Sequence, residues 1–160
     1  MAFQLPAADL PPDVTALVSG GCAPGLAAAI AAAWAAAPFL KGLIRSRPAT
    51  LARLADTGPQ AALAAALAAA GDAGQPIMPR LRTARRDVAL ITALADLAGL
   101  WGLEQVTAAL SDFTDLAIDA AIAAALAERG ACNRGLVALA LGKLGSRELN
   151  YSSDADLIFI

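Results

Sequence analysis

Two aspartates one residue apart, Asp154 and Asp156, stand at the entry to a β-rich run, Asp156–Ile160. On a strand, side chains two apart share a face, so the two carboxylates converge about 7 Å apart along the backbone. Hard carboxylate oxygens placed in this way suit Mg²⁺, which takes one or two carboxylates and completes its shell with water and substrate phosphates. Two such ions clamp the attacking and leaving oxygens of a phosphoryl or nucleotidyl displacement. Gly142 and Gly145 follow a short apolar run, Leu136–Leu141. Glycines at that place let the backbone come close to a ligand, with amide groups facing phosphate oxygens. Ser153, beside the first aspartate, offers a hydroxyl. Lys143 places a positive charge near a phosphate or else is a plain surface residue.

An Asp-x-Asp pair alone is common in turns and helix caps, and a glycine pair alone says little. The ordered series carries more: strand, Gly142 to Gly145, a short connector, Ser153 and Asp154, Asp156, strand. It resembles the nucleotidyltransferase superfamily related to DNA polymerase β, with Gly142 in the place of the leading glycine. Lys143 departs from the small residue usual after that glycine, and it narrows the match. Gly142, Lys143, Leu144, Gly145, Glu148, Leu149, Asn150, Ser152, Ser153, Asp154, Asp156, Leu157, Ile158 and Phe159 together are similar to the motif of the glutamine synthetase adenylyltransferase family. Ser146 stands where a second glycine is typical, which is tolerable only if that backbone avoids positive φ. Ala155 replaces a larger aliphatic residue and faces away from the carboxylates.

Looser similarity runs upstream, through Pro38–Leu40 and Arg45–Pro48, then Arg85–Asp87, Asp96–Leu100, Glu104–Thr107, Leu110, Ser111 and Asp115. Members of the family carry two such catalytic domains in tandem. A motif reached by Gly142 from Met1, and the run Glu148–Asp154, look more like the N-terminal copy. That copy, the resemblance implies, removes AMP from a tyrosine of adenylylated glutamine synthetase by Mg²⁺-dependent phosphorolysis, releasing ADP. The other copy attaches AMP from ATP. The resemblance further implies control by a PII signal protein and by glutamine. By the same token Asp154 and Asp156 are catalytic metal ligands, and Gly142, Lys143, Gly145 and Ser153 meet nucleotide or phosphate. The superfamily's third carboxylate comes from a later strand, so the 160-residue chain is expected to be inactive by itself.

The elements that must position these residues are helical. Hydrophobic residues make up 58% of the chain, but much of the excess is alanine, the best helix former. Leu26–Ala37 and Gln60–Ala70 read as alanine-rich helices, 71–76 as a loop, and about Leu81–Leu100 as another helix. The last opens on Arg80, Arg82, Arg85 and Arg86, a cluster able to meet a phosphate or an acidic partner; its plainer reading is a solvated helical face. From Leu103 the apolar positions Val106, Leu110, Phe113 and Ala117 recur in steps of three and four, and Ile118, Ile122 and Leu126 continue in steps of four. That stripe predicts core packing against neighbouring helices, with Arg129 and Gly130 as the stop signal and Ser111-Asp112 as an undecided break. The fold class expected is α+β: a helical region over 1–130 that buttresses the site, then strand, phosphate loop and first metal strand of an incomplete palm over 131–160.

Composition narrows the function classes. Twelve Lys+Arg against 14 Asp+Glu leave a net charge of −2, which argues against a nucleic-acid or anionic-lipid partner. The chain has no histidine, so histidine metal sites and serine or cysteine triads built on that residue drop out. Cys22 and Cys132 lack metal-ligand spacing and read as buried small residues of a cytoplasmic protein. The N-terminus lacks the basic region of a signal peptide. The uncharged stretch between Asp13 and Lys41 is broken by Gly20, Gly21, Pro24 and Gly25, which favours a packed helix over a membrane span. Two other readings stay open on the residues alone: a nucleotidyltransferase for a different protein or small molecule, and a non-enzymatic helical module whose Asp-x-Asp is a loop cap.

Overall fold

The computed structural model describes residues 10–131 and 135–160. Residues 132–134 of the loop expected at 131–134, Cys132 among them, and the N-terminal segment 1–9 lie outside the described residues. Six helices precede the motif: α1 (Pro12–Ser19), α2 (Pro24–Ala36), α3 (Pro38–Ser46), α4 (Pro48–Gly71), α5 (Ile77–Leu97) and α6 (Leu103–Glu128). Then come β1 (Ala138–Ala140), a single helical turn α7 (Gly142–Gly145) and β2 (Leu157–Phe159).

Prolines punctuate the helices. Pro12, Pro38 and Pro48 each occupy the first helical turn, where a missing N–H removes a donor that has no helical acceptor anyway. The same chemistry moves the start of α5. Its helix begins at Ile77, earlier than the expected Leu81, because Pro79 sits within the first turn and breaks nothing. In α4 the expected Gln60–Ala70 helix is the second half of a longer element. Gly58, at φ 80° and ψ 170°, leaves the helical region just before Pro59, so the axis breaks there. Helix α5 ends at Leu97, short of Leu100, because Gly99 takes φ 65° and the Leu100 amide turns back to the Ala95 carbonyl at 2.9 Å. Helix α6 runs unbroken through Ser111 and Asp112. The Gln105 side chain accepts from the Gly102 amide at 2.9 Å, fastening its start. Gly130, at φ 64°, closes its end as the sequence indicates.

Helix α5 is the axis of the core, packed against α2, α3, α4 and α6. Val88, Leu90, Ile91, Leu94 and Ala95 are fully buried along it. They meet Leu26 and Ile30 from α2, Ile44 from α3, and Leu51 and Leu54 from α4. Each such buried aliphatic contributes roughly 1.5–3 kcal/mol of transfer free energy. The chain's two tryptophans, Trp34 and Trp101, are both buried in this cluster. Beside it the Asp87 carboxylate accepts from Arg47 Nε at 2.6 Å, from Arg47 Nη2 at 2.7 Å and from the Thr50 hydroxyl at 2.6 Å, joining α5 to α4 and to the α3–α4 junction. At the other end α2 approaches closely: a Cβ on Gly25 would lie 2.6 Å from the Ala98 carbonyl oxygen. Cys22 is half-buried against the cluster rather than fully buried.

The stripe on α6 is core only in its first half. Val106 and Ala109 are buried and Leu110 and Phe113 pack on the cluster, but Leu103 is 78% exposed. Ile118, Ile122 and Leu126 are only partly buried, and none of them belongs to the core cluster. Among the described residues no single helix is long and apolar enough to cross a membrane. Helices α2 and α3 meet that test only jointly, and they are bent by 118° at their junction.

Strands β1 and β2 pair antiparallel, with Ala138 opposite Phe159, Leu139 opposite Ile158 and Ala140 opposite Leu157. Two bonds between Val137 and Ile160, at 2.7 and 3.0 Å, and one from the Leu141 amide to the Asp156 carbonyl, at 2.9 Å, extend the ladder at both ends. The run Leu136–Leu141 is thus a strand, as expected, but not a buried one: Val137, Leu139 and Leu141 are exposed, as are Ile158, Phe159 and Ile160. Two strands offer no second layer to cover them, and the outer edges have no strand partner among the described residues.

The packing makes a contrast testable. Ile91→Ala is expected to lower unfolding stability by about 3 kcal/mol through the cavity it leaves. Leu103→Ala, at an exposed position, should change it by less than about 0.5 kcal/mol. Urea unfolding followed by circular dichroism measures both, and equal effects would refute the placement of α5 at the centre.

Candidate functional site

The ladder fixes the geometry of the motif. Because Leu141 donates to the Asp156 carbonyl, the residue after Leu141 lies beside the aspartate: a Cβ on Gly142 would be 3.1 Å from Asp156 Oδ2. Gly142 has φ 55°, so both its conformation and the nearby carboxylate favour glycine. The chain then makes one helical turn. Amides of Gly145 and Ser146 bond back to the carbonyls of Leu141 and Gly142, each at 3.1 Å. Those of Gly142, Lys143 and Leu144 begin the turn, where a helix supplies no acceptor.

Gly145 is required for a different reason from the one the sequence suggests. A Cβ there would be 2.5 Å from the Ala140 carbonyl oxygen, so this glycine lets the turn fold back onto β1. Ser146 takes φ −87°, and its replacement of a glycine costs no backbone strain. Positive φ falls instead on Arg147, at 60°. Its amide and that of Glu148 close the turn on the carbonyls of Leu144 and Lys143, at 3.0 and 2.7 Å.

Three ties hold this loop to the helices. Leu144 and Leu149 are its buried side chains. The Leu149 amide donates to the hydroxyl of Ser111, a fully buried residue of α6, at 3.4 Å. Arg147 forms an ion pair with Asp112, the next residue of α6. Desolvation lifts the Asp115 carboxyl above its ordinary value, against the pull of Arg147 and with smaller contributions from Asp112 and Asp119. The Tyr151 phenol, beside α5, is raised above 10 chiefly by burial; the Thr92 hydroxyl lowers it, and Asp96 raises it by less.

The next residues form a turn that delivers the aspartates. Ser153 Oγ donates to Asn150 Oδ1 at 2.7 Å and accepts from the Asn150 amide at 3.2 Å, while Asn150 Oδ1 also accepts from the Ser152 amide at 3.1 Å. The Ser153 hydroxyl, expected to face phosphate, is therefore engaged in shaping the turn just before Asp154. Asp154 and Asp156 are both exposed and, among the described residues, neither is in an ion pair. Two free carboxylates at a strand entry are a donor set fit for Mg²⁺. No cluster of three potential ligands occurs among the described residues. Lys143 is exposed on the glycine turn. The structure thus brings Asp156 to Gly142 and holds Gly145 against β1. Arg82, Arg85 and Arg86 are exposed, as a solvated face requires, and they also line one wall of a cleft opposite Asn150, Tyr151 and Ser153.

A family profile described as Glutamate-ammonia ligase adenylyltransferase matches residues 27–160, from within α2 through α6 to the glycine turn and both aspartates. The chain belongs to this family. Relatives named bifunctional glutamine synthetase adenylyltransferase/adenylyl-removing enzyme agree with the match. The one from Xanthobacter autotrophicus is 41% identical over 77% of this chain and 14% of its own length. That of Rhodopseudomonas palustris is 37% identical over 94% and 17%, and that of Rhizobium meliloti 42% over 81% and 16%. The chain therefore spans about one-sixth of the length of these adenylyltransferases. No solved structure matches it.

Tyr151 is the chain's one tyrosine, so its titration is readable without interference. Alkaline absorbance titration is expected to give an apparent pKa above 10, and a value at or below 10 would mean the ring is not seated on α5. The raised value makes the folded state keep this proton longer than the unfolded chain does. The stability it contributes is whole below pH 10 and is lost as pH rises through the raised value.

Proposed function

We propose that this chain supplies the glycine turn and the first two metal carboxylates of an adenylyl-removing site, in a longer bifunctional enzyme acting on glutamine synthetase. The observation that carries the reading is the approach of Asp156 Oδ2 to within 3.1 Å of the position a Gly142 Cβ would occupy. It sets a carboxylate directly over the start of a turn whose leading amides have no helical acceptor. Asp154 and Asp156 would hold the cation, and the leading amides of the turn would meet phosphate oxygens. The names of the relatives and the Glu148–Asp154 run support the choice of substrate and of the removing half.

The chemistry proposed is a phosphoryl-centre displacement. An oxygen of inorganic phosphate forms a bond to the phosphorus of the AMP group while the bond to the tyrosine oxygen breaks. ADP is the product, and the tyrosine oxygen leaves with a proton. Bound Mg²⁺ would neutralise charge on the attacking and leaving oxygens. The chain's own residues do the positioning. Gly142 leaves room for Asp156, Gly145 seats the turn on β1, and the Asn150–Ser153 turn sets the approach of Asp154. Lys143 adds positive charge beside the amides. We place the protein in the cytoplasm, under control of a PII signal protein and glutamine, with neither nucleic acid nor membrane as partner.

Two measurements test this. Calorimetric titration of Mg²⁺ or Mn²⁺ into a polypeptide extended through the remaining strands of the sheet should show binding that Asp154→Asn/Asp156→Asn abolishes. Equal binding in both proteins, or in neither, would make the aspartate pair structural. Separately, the 160-residue chain, offering two of the carboxylates, is expected to release no ADP from AMP-modified glutamine synthetase with phosphate and Mg²⁺. Turnover by that polypeptide would contradict the need for a third.

A further inference from the structure

A second feature adjoins the motif without taking in its carboxylates. Between α5 and the loop at Asn150–Ser153 lies a cleft of about 450 Å³, within the range of small-molecule sites. Arg82, Arg85 and Arg86 line one wall. At spacings of three and four residues they share a helix face, with neighbouring Cβ atoms about 5–6 Å apart. Among the described residues none of the three is in an ion pair; the two ion pairs there use Arg47 and Arg147. Three unneutralised guanidinium groups in one cleft are notable in a chain whose net charge is −2. The other walls are apolar and aromatic, with Leu110 and Phe113 from α6 and the Tyr151 ring from the loop.

We propose that this cleft is an anion site separate from the aspartate pair, and that it takes a phosphate monoester carried on a planar ring. The guanidinium fork matches phosphate oxygens two at a time, and a dianion neutralises most of the cluster. A lone phosphate would leave the apolar wall facing water, whereas a planar ring covers it and stacks on Phe113 or Tyr151. Ser153 lines the cleft, but Asp154, Asp156, Gly142 and Gly145 do not, so the aspartate pair is not part of its wall. The inference stands independently of the metal reading. The ring could be a nucleoside's or a phenol's, and the test separates these sources.

The experiment titrates AMP, phenyl phosphate and inorganic phosphate into the 160-residue chain at low salt, by calorimetry. The ring-bearing phosphates are expected to bind more tightly than inorganic phosphate, with AMP favoured if the source is a nucleotide and phenyl phosphate favoured if it is a phenol. Arg85→Gln/Arg86→Gln should weaken binding by about tenfold or more, through loss of charge-assisted hydrogen bonds. Both side chains are exposed, and circular dichroism confirms that the variant stays folded. Arg85→Lys, which keeps charge but loses the fork, should fall between. Asp154→Asn/Asp156→Asn should bind as wild type does. Absence of binding at millimolar ligand, equal affinity for inorganic phosphate, insensitivity to the arginine changes, or loss of binding in the aspartate variant would each overturn the proposal. None of these outcomes bears on metal binding, which has its own readout.

Discussion

The burial of helix α5 is the constraint on which the rest of the molecule depends. Four helices pack around it, and Val88, Leu90, Ile91, Leu94 and Ala95 are almost wholly removed from water. A charged residue at the edge of such a helix must be matched, and Asp87 is matched three ways by Arg47 and Thr50. That arrangement fixes more than a pair of charges. Arg47 sits between α3 and α4, so the ion pair sets where one helix stops, where the next begins and how both lie on α5.

With α5 fixed, α6 is fixed beside it, and α6 carries the seat of the motif. Ser111 and Asp112 are neighbours on that helix, and they hold Leu149 and Arg147 respectively. The ties lie on the two sides of Glu148, between the glycine turn and the turn that leads to the aspartates. The helical layer thereby sets the distance between the two halves of the site without contributing a side chain to its chemistry. Arg147 accepts an unfavourable left-handed backbone conformation at this junction, where the chain must reverse from α7 toward Leu149.

Much of this was legible in the sequence, for physical reasons that can be separated. Stops built on glycine were readable because the conformation belongs to the residue: Gly130 ends α6 where its position says. That the apolar runs before Gly142 and after Asp156 are strands was readable from their composition and bounds, whereas their antiparallel pairing with each other was not. The start of α5 was not, since Pro79 looks like a breaker until its place in the first turn is known. Leu103 fits the periodic stripe yet faces water, because periodicity says which residues share a face but not which of them a neighbour covers. At the site, Asp154, Asp156 and the glycines were identifiable by type and spacing. The reason for Gly145, the engagement of Ser153 with Asn150, the strain on Arg147 and the cleft at Arg82–Arg86 all come from contacts between elements. Only residue type foreshadowed the last, as an arginine cluster.

The position of the tryptophans divides the molecule for any optical study. Trp34 and Trp101 both lie in the helical core, while the segment from Gly135 onward carries Tyr151 and no indole. Intrinsic emission excited in the indole band therefore reports whether the helices are packed and is silent about the loop that bears the aspartates. A preparation with native emission and a native melting curve can still have its aspartate-bearing loop undocked, since among the described residues that loop buries just Leu144 and Leu149. The apparent health of such a protein is that of its scaffold alone.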